Sequence, residues 1–198
     1  MHSLRLKNFR GFEDTGRVPI RRITVLVGAN STGKSGFLRV FPLLRQSIQT
    51  PTSGPILWYD ERLVDYGSFA EARRKNSKDQ GIWFEFGLSL RPFIKDQFVY
   101  PNEQIPYGLI EDDHDLQLSV LLQEAKQRTF AARVDLRIEA DQAEIEFNES
   151  GQVVRFQTNG EPRNISEEWI RHHSGPVPSV EQVEILFQMH NIIPSDMA

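Results

Sequence analysis

The chain has 198 residues, of which 39% are hydrophobic and 25% are charged, a composition typical of a soluble globular domain. Its net charge of -4 excludes a chain-wide polycation for nucleic acid, and the lack of cysteine excludes disulfides and cysteine-based metal sites or nucleophiles. No apolar run approaches the roughly 20 residues of a membrane helix, and the first residues lack the apolar core of a signal peptide. We therefore expect a cytoplasmic protein.

The N-terminal part of the chain predicts a strand, a turn and then a second strand. Apolar and basic residues alternate through residues 2–8, which favours a strand with one solvated face. Residues 9–12 should turn the chain. Residues 22–27 are β-branched and apolar enough to predict a buried strand. Apolar residues then recur at helical spacing over 37–48, in a helix that Pro42 should kink or split.

Residues 28–35, between the second strand and the helix, carry the pattern G-x-x-x-x-G-K-S of a phosphate-binding loop. Its two glycines let a tight loop wrap a polyphosphate, so that backbone N–H groups point at the phosphate oxygens. Lys34 can reach between the terminal phosphates, and the Ser35 hydroxyl can ligate magnesium. The start of the helix adds further N–H groups and its positive dipole end. The alternative is a glycine turn that binds nothing.

The second half of the chain changes from helical to strand periodicity. Alternating apolar residues over 82–158, with a hairpin turn at 148–151, predict an antiparallel meander. We therefore predict an α/β fold with some α+β character, namely a P-loop NTPase with a mixed sheet plus this meander. The nucleotide-binding core would span 1–80, the meander 81–160 of the same lobe, and a helical tail 161–198, the start of a second lobe.

Two stretches of the sequence also carry family patterns. Residues 4–12 read LRLKNFRGF, an L-x-NF-[RK] strand, and residues 23–35 end in G-x-N-x-[ST]-GKS. Together they resemble the N-terminal lobe of ABC-type ATPases of the SMC, RecF and OLD group. Residues 63–69, LVDYGSF, resemble a segment of AAA-family proteins from bacterial defence and toxin–antitoxin loci. The resemblance covers residues 1–90 well and continues loosely through the meander.

The resemblance implies an ATP and magnesium site. Lys34 would be the catalytic residue, and Ser35 would hold the magnesium ion. Gly36 stands where the family often has a second hydroxyl residue, so only its backbone N–H would serve. Arg10 matches a basic residue that approaches the terminal phosphate in relatives, the alternative being a surface charge at a strand end. The nucleotide-binding set is Arg10, Gly28, Asn30, Ser31, Thr32, Gly33, Lys34, Ser35 and Gly36.

The sequence departs from this group in the residues that hydrolysis needs. No apolar strand ends in the acidic pair of a Walker B motif, and the nearest candidates, 120–124 and 183–187, lack a paired acid. No Leu-Ser-x-Gly signature is present. The chain therefore resembles the first lobe of a family member, and ATPase activity is expected of the complete protein.

The resemblance also implies a biological role. The chain would be the ATP-binding subunit of an SMC/OLD-like ATPase that couples nucleotide state to DNA handling or to a nuclease effector in antiphage defence. A homodimer or higher oligomer is expected, and no membrane. The alternative is a non-hydrolysing, ATP-dependent assembly module. A small P-loop kinase is a third possibility, which the meander disfavours. The basic run at 73–78 and the acidic cluster at 111–115 are more typical of solvated loops than of nucleic-acid or metal sites.

Overall fold

Nine strands form one sheet in the computed structural model, which describes residues 1–30, 32–50, 54–89 and 115–163. The strands are β1 (Ser3–Phe9), β2 (Phe12–Asp14), β3 (Val18–Pro19), β4 (Ile82–Ser89), β5 (Asp115–Ala125), β6 (Arg128–Ile138), β7 (Asp141–Phe147), β8 (Val153–Thr158) and β9 (Glu161–Pro162). Their order is β2-β1-β4-β5-β6-β7-β8-β9, and β3 also pairs with β1. The first strand thus joins the meander through β4.

The predicted first strand and turn are confirmed. Leu4 and Leu6 of β1 are completely buried, and Phe9 pairs with Phe12 in the hairpin to β2. Leu6 lies opposite Phe84 of β4, so apolar residues of adjacent strands share one face of the sheet. This face carries the larger of two apolar clusters, and the smaller one surrounds Ile145 on β6 to β8.

The predicted meander is confirmed for β4 to β8. Each of these strands pairs antiparallel with the next, and the turn after β7 places Gly151 at a φ of 77°. The sheet continues through β9, beyond the predicted boundary at residue 160. Residues 164–198, which hold the predicted helical tail and the 183–187 candidate, lie outside the described residues, as does most of the acidic cluster at 111–115.

Three helices lie between β3 and β4: α1 (Lys34–Leu38), α2 (Val40–Gln49) and α3 (Phe69–Ala72). The predicted split at Pro42 is confirmed, since α1 ends at Leu38 and α2 begins at Val40. Proline has no N–H to donate to the carbonyl four residues earlier, and its ring clashes with that carbonyl. That carbonyl belongs to Leu38, the last residue of α1.

The prediction of a buried strand over 22–27 is wrong. Ile23, Val25 and Val27 are 84%, 74% and 87% exposed, and the segment forms no strand. Within residues 22–27, only Leu26 is partly buried, and it packs against the larger apolar cluster. A strand buried on both faces needs paired neighbours, and none of the described strands pairs with this segment. All pairings of the described strands are antiparallel. The described residues therefore lack the parallel pairing that the predicted mixed sheet requires.

The buried face of α2 includes a polar residue, Gln46, that the apolar pattern of the sequence did not indicate. Val40 and Leu43 are buried as a helical face, but Ile48, predicted to extend that face, is exposed. Gln46 takes that place and is 1% exposed. Its Nε2 donates to the carbonyls of Leu57, at 2.6 Å, and Val64, at 3.1 Å, and its Oε1 accepts from the Val64 N–H at 3.0 Å. Gln46 therefore ties α2 to the loop that follows it.

We expect Gln46→Leu to lower the free energy of unfolding by about 2–4 kcal/mol, because the buried Val64 N–H and carbonyl and the half-buried Leu57 carbonyl lose this partner. Urea unfolding followed by circular dichroism measures the loss. Gln49→Leu is the matched control, since Gln49 is exposed at the end of the same helix and its replacement should change stability by less than about 0.5 kcal/mol. Equal losses in both variants would contradict the role given to Gln46.

Candidate functional site

The glycine-rich loop leads directly into α1, and its last glycine has a backbone that other residues adopt at a cost. Gly33 is the N-cap of α1 with a φ of 93°. A Cβ added there would lie 2.5 Å from Cζ of Phe12, the first residue of β2. The glycine that the sequence pattern requires is therefore also required by the backbone conformation and by the close approach of an aromatic ring.

The Lys34 ammonium lies within the loop. Its Nζ donates to the carbonyl of Gly28 at 2.8 Å and to that of Ala29, and lies 3.4 Å from the Thr32 hydroxyl. Thr32 in turn donates to the Ala29 carbonyl at 2.9 Å. The loop is thus wrapped around a cation whose present acceptors are neutral oxygens. Anionic phosphate oxygens would bind that cation more strongly than these carbonyls do.

The other predicted loop residues take different positions. Ser35 occupies the second position of α1 and is exposed, as are Gly28 and Asn30 at the start of the loop. Ser31 lies outside the described residues. The contacts described here bring Gly28, Thr32 and Lys34 together, whereas the roles of Asn30, Ser31 and Ser35 stay predictions. Ammonium, hydroxyl and backbone N–H donors are the chemistry that a magnesium-bound polyphosphate requires.

Gly36 has a partner that the sequence did not identify. Its carbonyl accepts a hydrogen bond of 2.8 Å from the Tyr66 hydroxyl. Tyr66 is 2% exposed, and burial raises its pKa against the opposing effect of the positive charges of Arg39 and Arg10. The hydroxyl is therefore a protonated donor at neutral pH. The sequence signal was limited to the position of Tyr66 within the family-like segment 63–69.

Arg10 lies against this tyrosine. Its guanidinium carbon is 5.2 Å from the ring centroid of Tyr66, and its Nη1 donates to the Glu71 carbonyl at 3.0 Å. Its backbone N–H donates to the Ala72 carbonyl at 2.7 Å. Arg10 is thus held against α3 and against the residue that bonds Gly36. Its role as a phosphate ligand stays a prediction.

The family-like segment uses its polar side chains for its own turn. The Asp65 carboxylate accepts from the Gly67 N–H at 2.6 Å, and the Ser68 hydroxyl accepts from the Glu71 N–H at 3.3 Å as the N-cap of α3. Side-chain oxygens of this kind commonly close turns and cap helices. Asp65 and Ser68 therefore serve the local fold, by closing a turn and capping α3.

The described residues include one of the two Walker B candidates that the sequence offered, at 120–124. The candidate at 120–124 lies at the end of β5, where Glu124 faces Thr129 across the hairpin and borders a groove with Arg73. No group of three or more His, Asp or Glu side chains that could hold a metal occurs among the described residues.

Several charges on the polar face of the sheet form ion pairs. Arg5 donates to Asp14 at 2.6 Å, and this hydrogen bond lowers the pKa of Asp14 to about 2. Lys7 pairs with Glu85 of the neighbouring strand at 2.5 Å. Arg133 bridges Asp135 and Glu144 farther along the same sheet. Arg17 and Arg137 border a groove on this face and donate to the neutral side chains of Gln117 and Gln142, so the charges of this face are only partly paired.

The helices that the structure describes include none that is both long enough and apolar enough to cross a membrane.

Comparison with known proteins places the chain in a family. Residues 1–188 match the family model described as an AAA ATPase domain. No curated protein and no solved structure matched the chain. The family has the P-loop NTPase fold, and its members bind ATP and magnesium, which confirms the predicted P-loop ATPase at this level. Because the family model matches residues 1–188 of the 198 in the chain, and because the Lys34 ammonium bonds to carbonyls of the glycine-rich loop, this chain belongs to the AAA ATPase domain family.

Proposed function

We propose that the chain binds ATP and magnesium on residues 28–36 and is the ATP-binding subunit of an SMC/OLD-like ATPase. The observation that carries this proposal is the Lys34 ammonium enclosed by the loop, next to a left-handed Gly33 at the start of α1. An ammonium held by neutral carbonyls is ready to exchange them for phosphate oxygens, because the attraction between opposite charges then adds to each hydrogen bond. The family match supports ATP as the ligand.

Different residues of the loop would bind different parts of ATP and magnesium. Lys34 would turn from the carbonyls of Gly28 and Ala29 towards the terminal phosphates. The backbone N–H groups of Gly33 to Gly36 would bind the remaining phosphate oxygens, as at other loops that lead into a helix. Ser35 would hold magnesium, which supplies positive charge to the phosphates. Catalysis of phosphoryl transfer is mainly positioning and charge stabilisation of this kind.

The wider role rests on the resemblance described above. Two copies of the chain would meet and complete each other's nucleotide sites. Nucleotide state would then control DNA handling or a partner nuclease in antiphage defence. DNA handling would then use exposed basic residues of the chain, and Lys75 and Lys78 are two that the structure describes.

A second function is favoured by one observation. No apolar strand pattern in the sequence ends in the acidic pair that would hold magnesium and activate water. The chain would then hold ATP to order an assembly without hydrolysing it. Phosphate release by the purified chain separates the two functions, since turnover that depends on Lys34 would eliminate the non-hydrolysing version.

Calorimetric titration with ATP tests the proposal itself. We expect saturable binding of one ATP per chain in magnesium, weaker binding after magnesium is chelated, and no detectable binding of AMP, which lacks the terminal phosphates. ADP should compete for the same site. A titration with no heat of binding, supported by the same result with a fluorescent ATP analogue, would refute the proposed function.

A further inference from the structure

The helix that follows the loop is too short to hold its own position. α1 spans only Lys34–Leu38, and helices of this length are not stable by themselves in water. Its N-cap has no side-chain hydrogen bond. Its first three residues are among those proposed above to bind phosphate. The orientation of these residues therefore depends on what holds α1 from outside.

Contacts from outside the helix hold α1 to the rest of the molecule. Phe37 is buried in the core, and the Tyr66 hydroxyl donates to the Gly36 carbonyl. The main-chain bonds that close α1 run from Phe37 to Gly33 and from Arg39 to Ser35. The Gly36 carbonyl follows the Ser35 carbonyl and lies in the last turn of α1. Tyr66 thus supplies a donor to one of the carbonyls that a helix leaves unpaired at its C-terminus.

Tyr66 is itself fixed from several sides. Its backbone N–H donates to the Trp58 carbonyl at 2.8 Å, and its ring meets the Phe9 ring edge-on at 5.3 Å. The guanidinium of Arg39 lies 5.3 Å from the ring centroid, close to the 5.2 Å of Arg10. Arg39 also donates to the Asp65 carbonyl at 3.1 Å. A buried ring held by these contacts presents its hydroxyl at one place.

We propose that Tyr66 is a positioning residue for the nucleotide site, acting through the Gly36 carbonyl to hold α1 in the orientation that presents Lys34, Ser35 and the Gly36 N–H to phosphate. This inference rests on the proposed ATP binding. It assigns Tyr66 no contact with the nucleotide. Its effect is to lower the cost of ordering α1 when ATP binds, as preorganisation does at other sites.

Tyr66→Phe is the decisive variant, because it keeps the ring, the packing on Phe9 and both cation–π contacts, and removes only the donor. We expect the Kd for ATP and magnesium to rise about three- to ten-fold, the size of effect that loss of one hydrogen bond produces. Amide hydrogen exchange in the absence of nucleotide should become faster in α1. Tyr59→Phe is the matched control, since that exposed tyrosine should change neither quantity.

The outcomes are distinguishable. Faster exchange in α1 with an unchanged Kd would show that Tyr66 only caps the helix, and would overturn the positioning role. Unchanged exchange would overturn it as well, because α1 would not depend on this hydrogen bond. If the wild-type chain fails to bind ATP, the proposed function fails first, and the positioning role fails with it. A higher Kd for Tyr66→Phe, with tight binding retained by Tyr59→Phe, supports the inference.

Discussion

Replacement of Lys34 by Ala is expected to abolish ATP binding, with a loss of affinity of at least about a hundredfold. The ammonium is the positive charge enclosed by the loop, where it already makes contacts with the Gly28 and Ala29 carbonyls. Hydrogen bonds to a charged group are worth about 1.5–3 kcal/mol each, and about 1.4 kcal/mol is a factor of ten in affinity. Calorimetric titration with ATP and magnesium measures the loss.

The control for this variant is Lys126→Ala. Lys126 lies in the exposed turn between β5 and β6 and pairs with Glu149, so the same charge is removed away from the loop. It should leave ATP affinity unchanged. Lys34→Ala should also keep the thermal unfolding midpoint close to that of wild type, because the contacts it removes are at the surface. An affinity equal to that of wild type would refute the site.

Gly33→Ala is expected to weaken ATP binding by more than tenfold and to lower the free energy of unfolding by about 1–3 kcal/mol. The φ of 93° is strained for any residue with a Cβ. The new methyl group would also stand 2.5 Å from the Phe12 ring. The backbone must relieve this strain at the N-cap of α1, and this shift would turn the N–H groups of α1 away from the phosphates. Urea unfolding and ATP titration measure the two effects.

Two further variants show whether backbone strain or the clash with Phe12 causes the effects of Gly33→Ala. Gly11→Ala is the control, because nothing lies within 4 Å of a Cβ at that position. Phe12→Ala together with Gly33→Ala removes the ring but keeps the strained φ. Recovery of ATP binding in the double variant would assign the loss to the clash with Phe12, and no recovery would assign it to the backbone. Wild-type affinity in Gly33→Ala would contradict both explanations.

The sequence predicts the parts of the fold that depend on local periodicity. Alternation identified β1 and the meander because one face of each strand is buried and the other is not, as with Leu4 and Arg5. The break before α2 followed from the covalent chemistry of Pro42. The prediction of a strand over 22–27 was wrong because an apolar, β-branched run shows only that a strand is favourable. It does not show that a neighbouring strand is present to pair with it. Gln46 was missed because its burial depends on partners far along the chain.

In the candidate site, too, the sequence predicts the residues of a local motif but not the contacts between distant residues. The motif identified Lys34 and Gly33, since their spacing carries the chemistry of phosphate binding. The hydrogen bond from Tyr66 to Gly36 joins residues thirty positions apart, and no local pattern reports a contact of that kind. Arg10 was identified by resemblance, but its contacts with Tyr66 and the Glu71 carbonyl follow from how β1 and α3 meet.

The pairing of β1 with β4 has a consequence for how the molecule folds. Leu6 lies opposite Phe84, so the glycine-rich loop and all three helices are contained in the connection between two adjacent strands. Closing so long a connection costs entropy that the short hairpins from β5 to β8 do not require. We expect these hairpins to form early and β1 to dock on β4 late. The phosphate-binding segment would then take its final shape only on a sheet that is already complete.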